Sequence, residues 1–581
     1  MPEKANPVDI SIVKRLVPVF CLVFLAFYLS ALLIGIDWGL PSQKRMSLLL
    51  FGKQITSSEL SRLTTHRQDC QQYQSLDVVF YGGNSRSTLA SEKLSKFPTE
   101  CIDGPEMSLR RFILYGVSQD ESRTFSSLSR MQPSELDLHP GRFENGTAYL
   151  YPIGGILFLL KKINLLEISH NVGFYLTNPS EIKKLFVVGR VFSLLAVVGT
   201  LLLLYQLGGR YASSSVGLLS AIAYGSFETV YFLGVQSRVH VVATFFVTLA
   251  VYFLLGYRST LKRNNIIYAS LALGIAVGIV IYSAFAWIMV LFFVFTIEKE
   301  KYERLKNILL SGSVVSCVYV VTNPYSVIDY QNFISWWLMF PSGKDIGGHG
   351  YTPSLFTMLS QYWYGHNLVS LPRVPFVAAS VIAVLWAVTS KIRPWNQLGI
   401  WVVLCELIFC SIGKSGTRLL MFTWPIISIL LALFFMQLWN SINRKKIIYF
   451  VILLLVIAPA YGHIFQRSVG LLAHKAGDRW YSESINCLDS LAISRKDQIG
   501  LYDYPKPHTF PPFPFLGSEL VLLHENLEML PNYVVIRNGH DGEKWKANPI
   551  SRNYIFSCMI KGAYSPRTGY LEQVASIYVK N

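Results

Sequence analysis

The amino-acid sequence predicts a mainly α-helical, polytopic membrane protein: about eleven transmembrane helices, interfacial helices in a large first external loop, and a small external α/β domain at the C-terminal end. Three observations lead there. Of 581 residues, 52% are hydrophobic and only 15% are charged, above and below ordinary globular usage respectively. Uncharged runs such as VPVFCLVFLAFYLSALLIGI, VFSLLAVVGTLLLLYQLGG and VVATFFVTLAVYFLLGY recur, each near the ~20 residues that carry a helix across a bilayer core. The formal net charge of +17 gathers in short clusters between those runs: KR at 14–15, YRSTLKRNN, EKEKYERLK, KIRP and NRKK. That is the positive-inside pattern of a multi-pass protein, so nucleic acid is not the implied partner.

Residues 1–15 form a cytoplasmic tail. The first apolar run is longer than the h-region of a signal peptide and has no small-x-small site after it, so it reads as a retained helix. With the basic clusters inside, helices fall near 16–37, 185–206, 215–236, 238–256, 265–281, 284–297, 308–323, 374–390, 397–412, 418–438 and 447–465, within a membrane domain of 16–465. The alternation holds only if residues 148–160 do not cross. That run is short and is closed by Lys161 and Lys162, which suits a helix lying in the outer interface.

Three segments then lie outside: 38–183, 324–373 and 466–581. Cys21, Cys317, Cys405 and Cys410 fall in apolar helices, whereas Cys70 and Cys101 fall in the first external segment and Cys487 and Cys558 in the tail. Two per external segment suit two disulfides in an oxidising compartment. The tail alternates helical DRWYSESINCLDSLA with short β-type runs, QIGLYDY, ELVLLHE, NYVVIRNG and SIYVKN, hence a small α/β domain. Between them, PKPHTFPPFPF reads as a packed proline-aromatic loop.

No Walker loop, dinucleotide fingerprint, paired CxxC or HExxH occurs, so soluble nucleotide chemistry is unsupported. Ionisable and polar residues gather instead at the outer helix ends: Asp37, Glu144, Arg190, Arg238 with His240, Asn323 and Tyr325, Lys344, Asp345 and His349, and Lys414 with Arg418. Arginine and lysine hold a phosphate and stabilise it as a leaving group, and a carboxylate takes a proton from an attacking hydroxyl. The collection suits a reaction on a phosphate-linked lipid at the membrane surface. Interfacial Lys and Arg also snorkel to headgroups with no chemical role. Glu228 and Glu406, inside apolar helices, read equally as packing partners or site residues. Asn145 heads the sequon NGT, a glycosylation acceptor in a secretory setting.

Taken in order, IDWGLP, FENGTAYLYPIGGILFLL, GRVFSLLAVVGTLLLLYQLGGRY, SRVHVVATFFVTLAVYFLL, TNPYSVIDYQNF and KSGTRLLMFTWPI resemble segments of the GT-C glycosyltransferases that use polyprenyl-phosphate sugars, particularly the protein O-mannosyltransferase and lipid A aminoarabinose transferase branch. The resemblance implies transfer of a sugar from an undecaprenyl- or dolichyl-phosphate carrier to a protein, lipid or glycan acceptor, at the outer face of the plasma membrane or in the ER lumen. It also implies a catalytic carboxylate in the first external loop, commonly in an Asp-Glu pair soon after helix one. Here Gln43 and Lys44 stand about where acids are expected, and His240 stands where the family often has Asp. Glu144 and, after it, Asp37 are therefore the expected bases. Tyr149 and Tyr151 would border the sugar; Arg190, Arg238, Lys414 and Arg418 would neutralise the phosphate; and the loop carrying Asn323, Tyr325, Lys344 and His349 would close over the site. A divalent cation on the phosphate is compatible with this chemistry, although no ligand set points to a metal. The rival readings are a lipid-linked glycan flippase, disfavoured by the lack of an internal repeat, and a donor-binding homologue without turnover.

Overall fold

In the computed structural model, residues 10–50, 54–71, 105–169, 171–339, 374–411, 420–441 and, with short interruptions, 457–581 are described. The chain is mainly helical, and its first helix, α1 (Ile10–Gly35), is followed by α2 (Gln43–Leu49), α3 (Ser57–Gln71), α4 (Pro105–Leu114), α5 (Gln119–Leu128), α6 (Thr147–Lys162) and α7 (Val172–Thr177). Next come α8 (Pro179–Tyr211), α9 (Ser214–Gly225), α10 (Glu228–Gly234), α11 (Val239–Thr260), α12 (Arg263–Ile279), α13 (Trp287–Ile297), α14 (Lys301–Thr322), α15 (Tyr325–Ile328) and α16 (Tyr330–Met339). After these lie α17 (Val374–Thr389), α18 (Trp395–Ser411) and α19 (Trp424–Ser441). Among the described residues, five helices are long and apolar enough to cross a membrane, or six if α9 and α10 form one bent span; four shorter apolar helices accompany them. The helix expected at 447–465 lies largely outside the described residues.

Two helices differ from the sequence reading. The 33 residues of α8 make a rod about 50 Å long, well beyond a hydrocarbon core of ~30 Å. Pro179 at its start suits a first turn. The expected helix over 215–236 is broken, with a 71° bend between α9 and α10. Phe227 leaves the helix and stacks on Trp424, centroids 4.7 Å apart. Glu228 just beyond it, 8% exposed, pairs with Arg467 of the helical stretch 464–473. An ionised carboxylate inside an apolar bundle is held only where a cation meets it, so this glutamate serves packing.

The α6 helix spans 16 residues, about 24 Å, too short to cross upright. Phe158, Leu159, Ile163 and Leu165 at its far end are each more than half exposed. An apolar face left open this way, closed by two lysines, is compatible with the lipid–water boundary.

Outside the bundle, α20 (Arg479–Leu491) leads into a five-stranded sheet, β1 (Gln498–Leu501), β2 (Glu519–Leu522), β3 (Tyr533–Arg537), β4 (Tyr554–Lys561) and β5 (Val574–Lys580), with α21 (His540–Ala547) after β3. The order is β2-β1-β3-β5-β4, with β2, β1 and β3 parallel and β5 and β4 antiparallel to their neighbours. The sheet shares one apolar core with the first external segment: Leu48, Leu63, Phe112 and Leu176 pack with Leu488, Ile499, Val535 and Ile577. In the proline-aromatic loop, Phe510, Phe513 and Phe515 are buried, and Phe515 meets Phe112 at 5.8 Å. A disulfide joins Cys487 to Cys558 across 71 residues. Closing a loop of that size restricts the unfolded chain by about 4 kcal/mol, so Cys487→Ser is expected to lower the thermal midpoint of the external domain, read by protease resistance on heating. The pairing expected of Cys70 and Cys101 involves Cys101, outside the described residues, and the side chain of Cys70, which is not described.

Candidate active site

A cleft opens at one end of the bundle where the start of α6 meets the ends of α12 and α14. Its walls include Arg142, Glu144, Asn145, Gly278, Asn323 and Tyr325. The segment FENGT is clamped there by the backbone. The Gly146 amide donates to the Ile279 carbonyl at 3.0 Å, the Thr147 amide to Asn323 Oδ1 at 2.8 Å, and Asn323 Nδ2 to the Gly278 carbonyl at 3.0 Å. A Cβ on residue 146 would run into the Gly278 carbonyl, so only glycine allows this approach. Gly146→Ala is expected to cost about 1–3 kcal/mol through this overpacking, visible as a lower midpoint in detergent.

The loop before the clamp is docked on the segment after α14. Gly141 N–H donates to His139 Nδ1 at 2.9 Å, so the ring proton sits on Nε2, which donates to Asp329 Oδ2 at 2.9 Å. The Leu138 amide donates to Tyr325 Oη at 3.1 Å, and Tyr151 Oη donates to the Leu138 carbonyl at 3.2 Å. These bonds fix the backbone on either side of Glu144.

Glu144 has its side chain 16% exposed, and its Oε2 accepts from Arg123 Nη1 at 3.4 Å. The other oxygen, Oε1, is buried without a hydrogen-bond donor among the described residues; Arg142 Nη1 is 3.8 Å away. Arg123 Nη1 also lies 3.5 Å from Asp120 Oδ1, and Asp120 is paired with Arg238, whose Nε donates to Gln236 Oε1 at 2.8 Å. Two carboxylates are thus joined through one arginine, with two more arginines at the ends of the row.

Beneath this row is a second, fully buried pair. Arg190 donates through Nε and Nη2 to the two oxygens of Glu121, at 2.8 and 2.7 Å, with both side chains 0% exposed. Arg190 Nη1 also donates to the carbonyls of Ile36 and Trp38, and the Ser237 amide donates to Glu121 Oε1 at 2.7 Å. One ion pair therefore joins the end of α1, α5, α8 and the turn before α11, and it sets where Asp120, the next residue in the chain, emerges. Arg45 staples the same region by donating to the carbonyls of Gly39, Phe112 and Tyr115. Burial, with Arg190 nearby, pushes the Arg45 guanidinium down to about 10.

The sequence-expected residues distribute as follows. Glu144, Asn323 and Tyr325 line the cleft, whereas Arg238 is behind its walls and joins Glu144 only through Asp120 and Arg123. Tyr151 is half-buried against the docked loop, whereas Tyr149 is buried, with its Oη 2.7 Å from Ser237 Oγ. Arg190 is committed to Glu121. Asp37 lies at the end of α1, 3.2 Å from Lys183, away from the cleft walls. His240 bonds and stacks with Tyr282. Lys344, His349, Lys414 and Arg418 lie outside the described residues. The sequence reading missed Asp120, Glu121, Arg123 and Arg142. The signal was present: an acidic dipeptide in SQDESR, in the first turn of α5, far from the position after α1 where such a pair was sought. Asn145 of the sequon donates to Thr124 Oγ1 at 3.1 Å, and Thr147 is 2% exposed, so the NGT residues serve the clamp. Among the described residues, no group of three or more His, Cys, Asp or Glu could hold a metal ion.

No protein-family model and no curated protein sequence matches the chain. Among solved structures, it is similar to ArnT from Cupriavidus metallidurans in the apo state, with TM-score 0.42 and 13% identity over 79% of this chain and 93% of that one. The same enzyme bound to undecaprenyl phosphate matches at TM-score 0.40 and 12% identity, with the same coverage. The Archaeoglobus fulgidus oligosaccharyltransferase complex with Zn and sulfate matches at 0.37 and 13%, over 62% of this chain and 52% of that one.

Proposed function

We propose that the protein is an inverting membrane glycosyltransferase of the GT-C class, moving a sugar from a polyprenyl-phosphate carrier to an acceptor hydroxyl on the outer membrane face. The observation that carries this reading is the row Arg142–Glu144–Arg123–Asp120–Arg238, whose first two members line the cleft, with one carboxylate oxygen of Glu144 lacking a hydrogen-bond donor among the described residues. The ordered sequence segments that resemble the GT-C enzymes point the same way. The Glu144 carboxylate accepts a hydrogen bond from the acceptor hydroxyl. As the hydroxyl oxygen bonds to the anomeric carbon, its proton passes to Glu144, and the bond from that carbon to the phosphate oxygen breaks with its electron pair going to the phosphate. Arg142 and Arg238, with Lys414 and Arg418, neutralise the departing phosphate. Asp120, held through the Glu121–Arg190 pair, is the second carboxylate of the row and keeps Arg123 and Arg238 in place. Asp37, engaged by Lys183, yields the role of base to Glu144.

In this reading about eleven helices span the membrane, and Lys344 and His349 serve the substrate site, where exclusion of water protects the donor from hydrolysis. The active face is periplasmic in a bacterial inner membrane, or lumenal in an ER membrane. The test is release of polyprenyl phosphate from a polyprenyl-phosphate sugar by the purified protein. Donor binding without release, in the presence of varied acceptors, would favour a non-catalytic binding homologue instead.

A further inference from the structure

A groove of about 300 Å³ opens between the C-terminal turn of α6 and the first turns of α8. Leu160, Leu166, Val187 and Val188 form its walls, and Lys183 and Lys184 stand among them. None of its lining residues belongs to the cleft at Glu144, which sits at the opposite end of α6. The groove's neighbours Phe158, Leu159 and Ile163 are more than half exposed, as residues immersed in lipid are. Apolar walls opening toward hydrocarbon, beneath ammonium groups at the water boundary, match a chain with an anionic head.

The ammonium groups are available for such a head. Lys183 Nζ is 3.2 Å from Asp37 Oδ2 and Lys184 Nζ is 2.7 Å from Glu181 Oε1, with the lysine side chains 36% and 50% exposed. Ion pairs this open hold weakly and yield to a competing anion. Lys161 and Lys162 follow Leu160 directly and are exposed, adding two positive charges at the helix end.

We propose that this groove seats an acyl chain of an anionic phospholipid of the outer leaflet, with its phosphate on Lys183 and Lys184. The site is independent of the sugar-transfer reading. It is tested on the full chain reconstituted in bilayers of equimolar phosphatidylglycerol and phosphatidylcholine, with the lipids retained after extraction counted by native mass spectrometry. Each lysine near an anionic surface is worth about a fivefold preference, so phosphatidylglycerol should exceed phosphatidylcholine among retained lipids by at least ~5-fold. Lys183→Gln with Lys184→Gln, the first half-buried and the second exposed, should bring that ratio toward unity while the thermal midpoint in detergent stays near that of the unaltered protein. Val187→Trp, filling the groove, should lower retention of both lipids. Equal retention by the unaltered protein, or an enrichment that survives the lysine changes, would overturn the proposal. Equal capture of chainless glycerol phosphate would assign the lysines to free phosphate and overturn it as well.

Discussion

Glu144→Gln is expected to lower the release of polyprenyl phosphate by about 10²–10⁴-fold, the usual contribution of a positioned proton acceptor. The amide keeps the shape of the carboxylate and can still accept from Arg123 through its oxygen, so the clamp at Gly146 and the cleft walls remain. What it loses is the ability to take a proton. The loss should therefore fall on kcat, with KM for the donor nearly unchanged. Asp37→Asn, at a carboxylate 3.2 Å from Lys183 and off the cleft walls, should leave turnover within a few-fold. Measured side by side, the two variants separate the candidate bases. Unchanged turnover in Glu144→Gln removes the proposed base outright, and a strong loss in Asp37→Asn alone would move the role to α1.

The largest effect on folding is expected at Arg190. Removing its side chain leaves Glu121 ionised, 0% exposed and facing only the Ser237 amide of its former partners, and breaking such a buried pair costs about 3–5 kcal/mol. Arg190→Ala should then drop the midpoint in detergent sharply and release the end of α1 from α5. Lysine should not rescue it. The guanidinium makes two bonds to the carboxylate and two to the carbonyls of Ile36 and Trp38, a planar fork that one ammonium does not reproduce. Replacing both partners, Glu121→Gln with Arg190→Gln, should recover much of the stability, because no unpaired charge remains. A double variant no better than Arg190→Ala would show that the carbonyl bonds, rather than the charge, hold this junction.

Activity and stability are expected to couple through this pair. Asp120 follows from the backbone that Glu121 anchors, and Arg123, one turn along α5, touches both Asp120 and Glu144. A shift of α5 therefore displaces both carboxylates of the row at once. Any variant at Glu121 or Arg190 that still folds should lose turnover more than it loses donor binding.

The apolar helices were legible in the sequence because lipid demands uncharged stretches of known length and the basic clusters mark their inner ends. The helix α6 itself was legible too, as an apolar run of sixteen residues ending in Lys161 and Lys162. The Cys487–Cys558 bond followed from where the membrane pattern placed those two cysteines. The site was only half legible. Glu144 stood out because it precedes an apolar run, whereas Asp120 and Glu121 sit in a polar segment whose composition gives no sign of where it folds.

What the sequence by itself determined is the set of apolar helices, the mixed fold of the C-terminal segment, and the position of Glu144 just before α6. Local periodicity and charge carry that information, because each helix meets the bilayer independently. Only the tertiary structure decided which charges meet. Arg190, read as a phosphate ligand, is spent on Glu121; Glu228 is spent on Arg467; Tyr149 is buried on Ser237; and the NGT residues form a clamp with Asn323. Partners separated by tens to hundreds of residues are chosen by packing and by the cost of leaving a buried charge unpaired, and no window along the chain contains both members of such a pair.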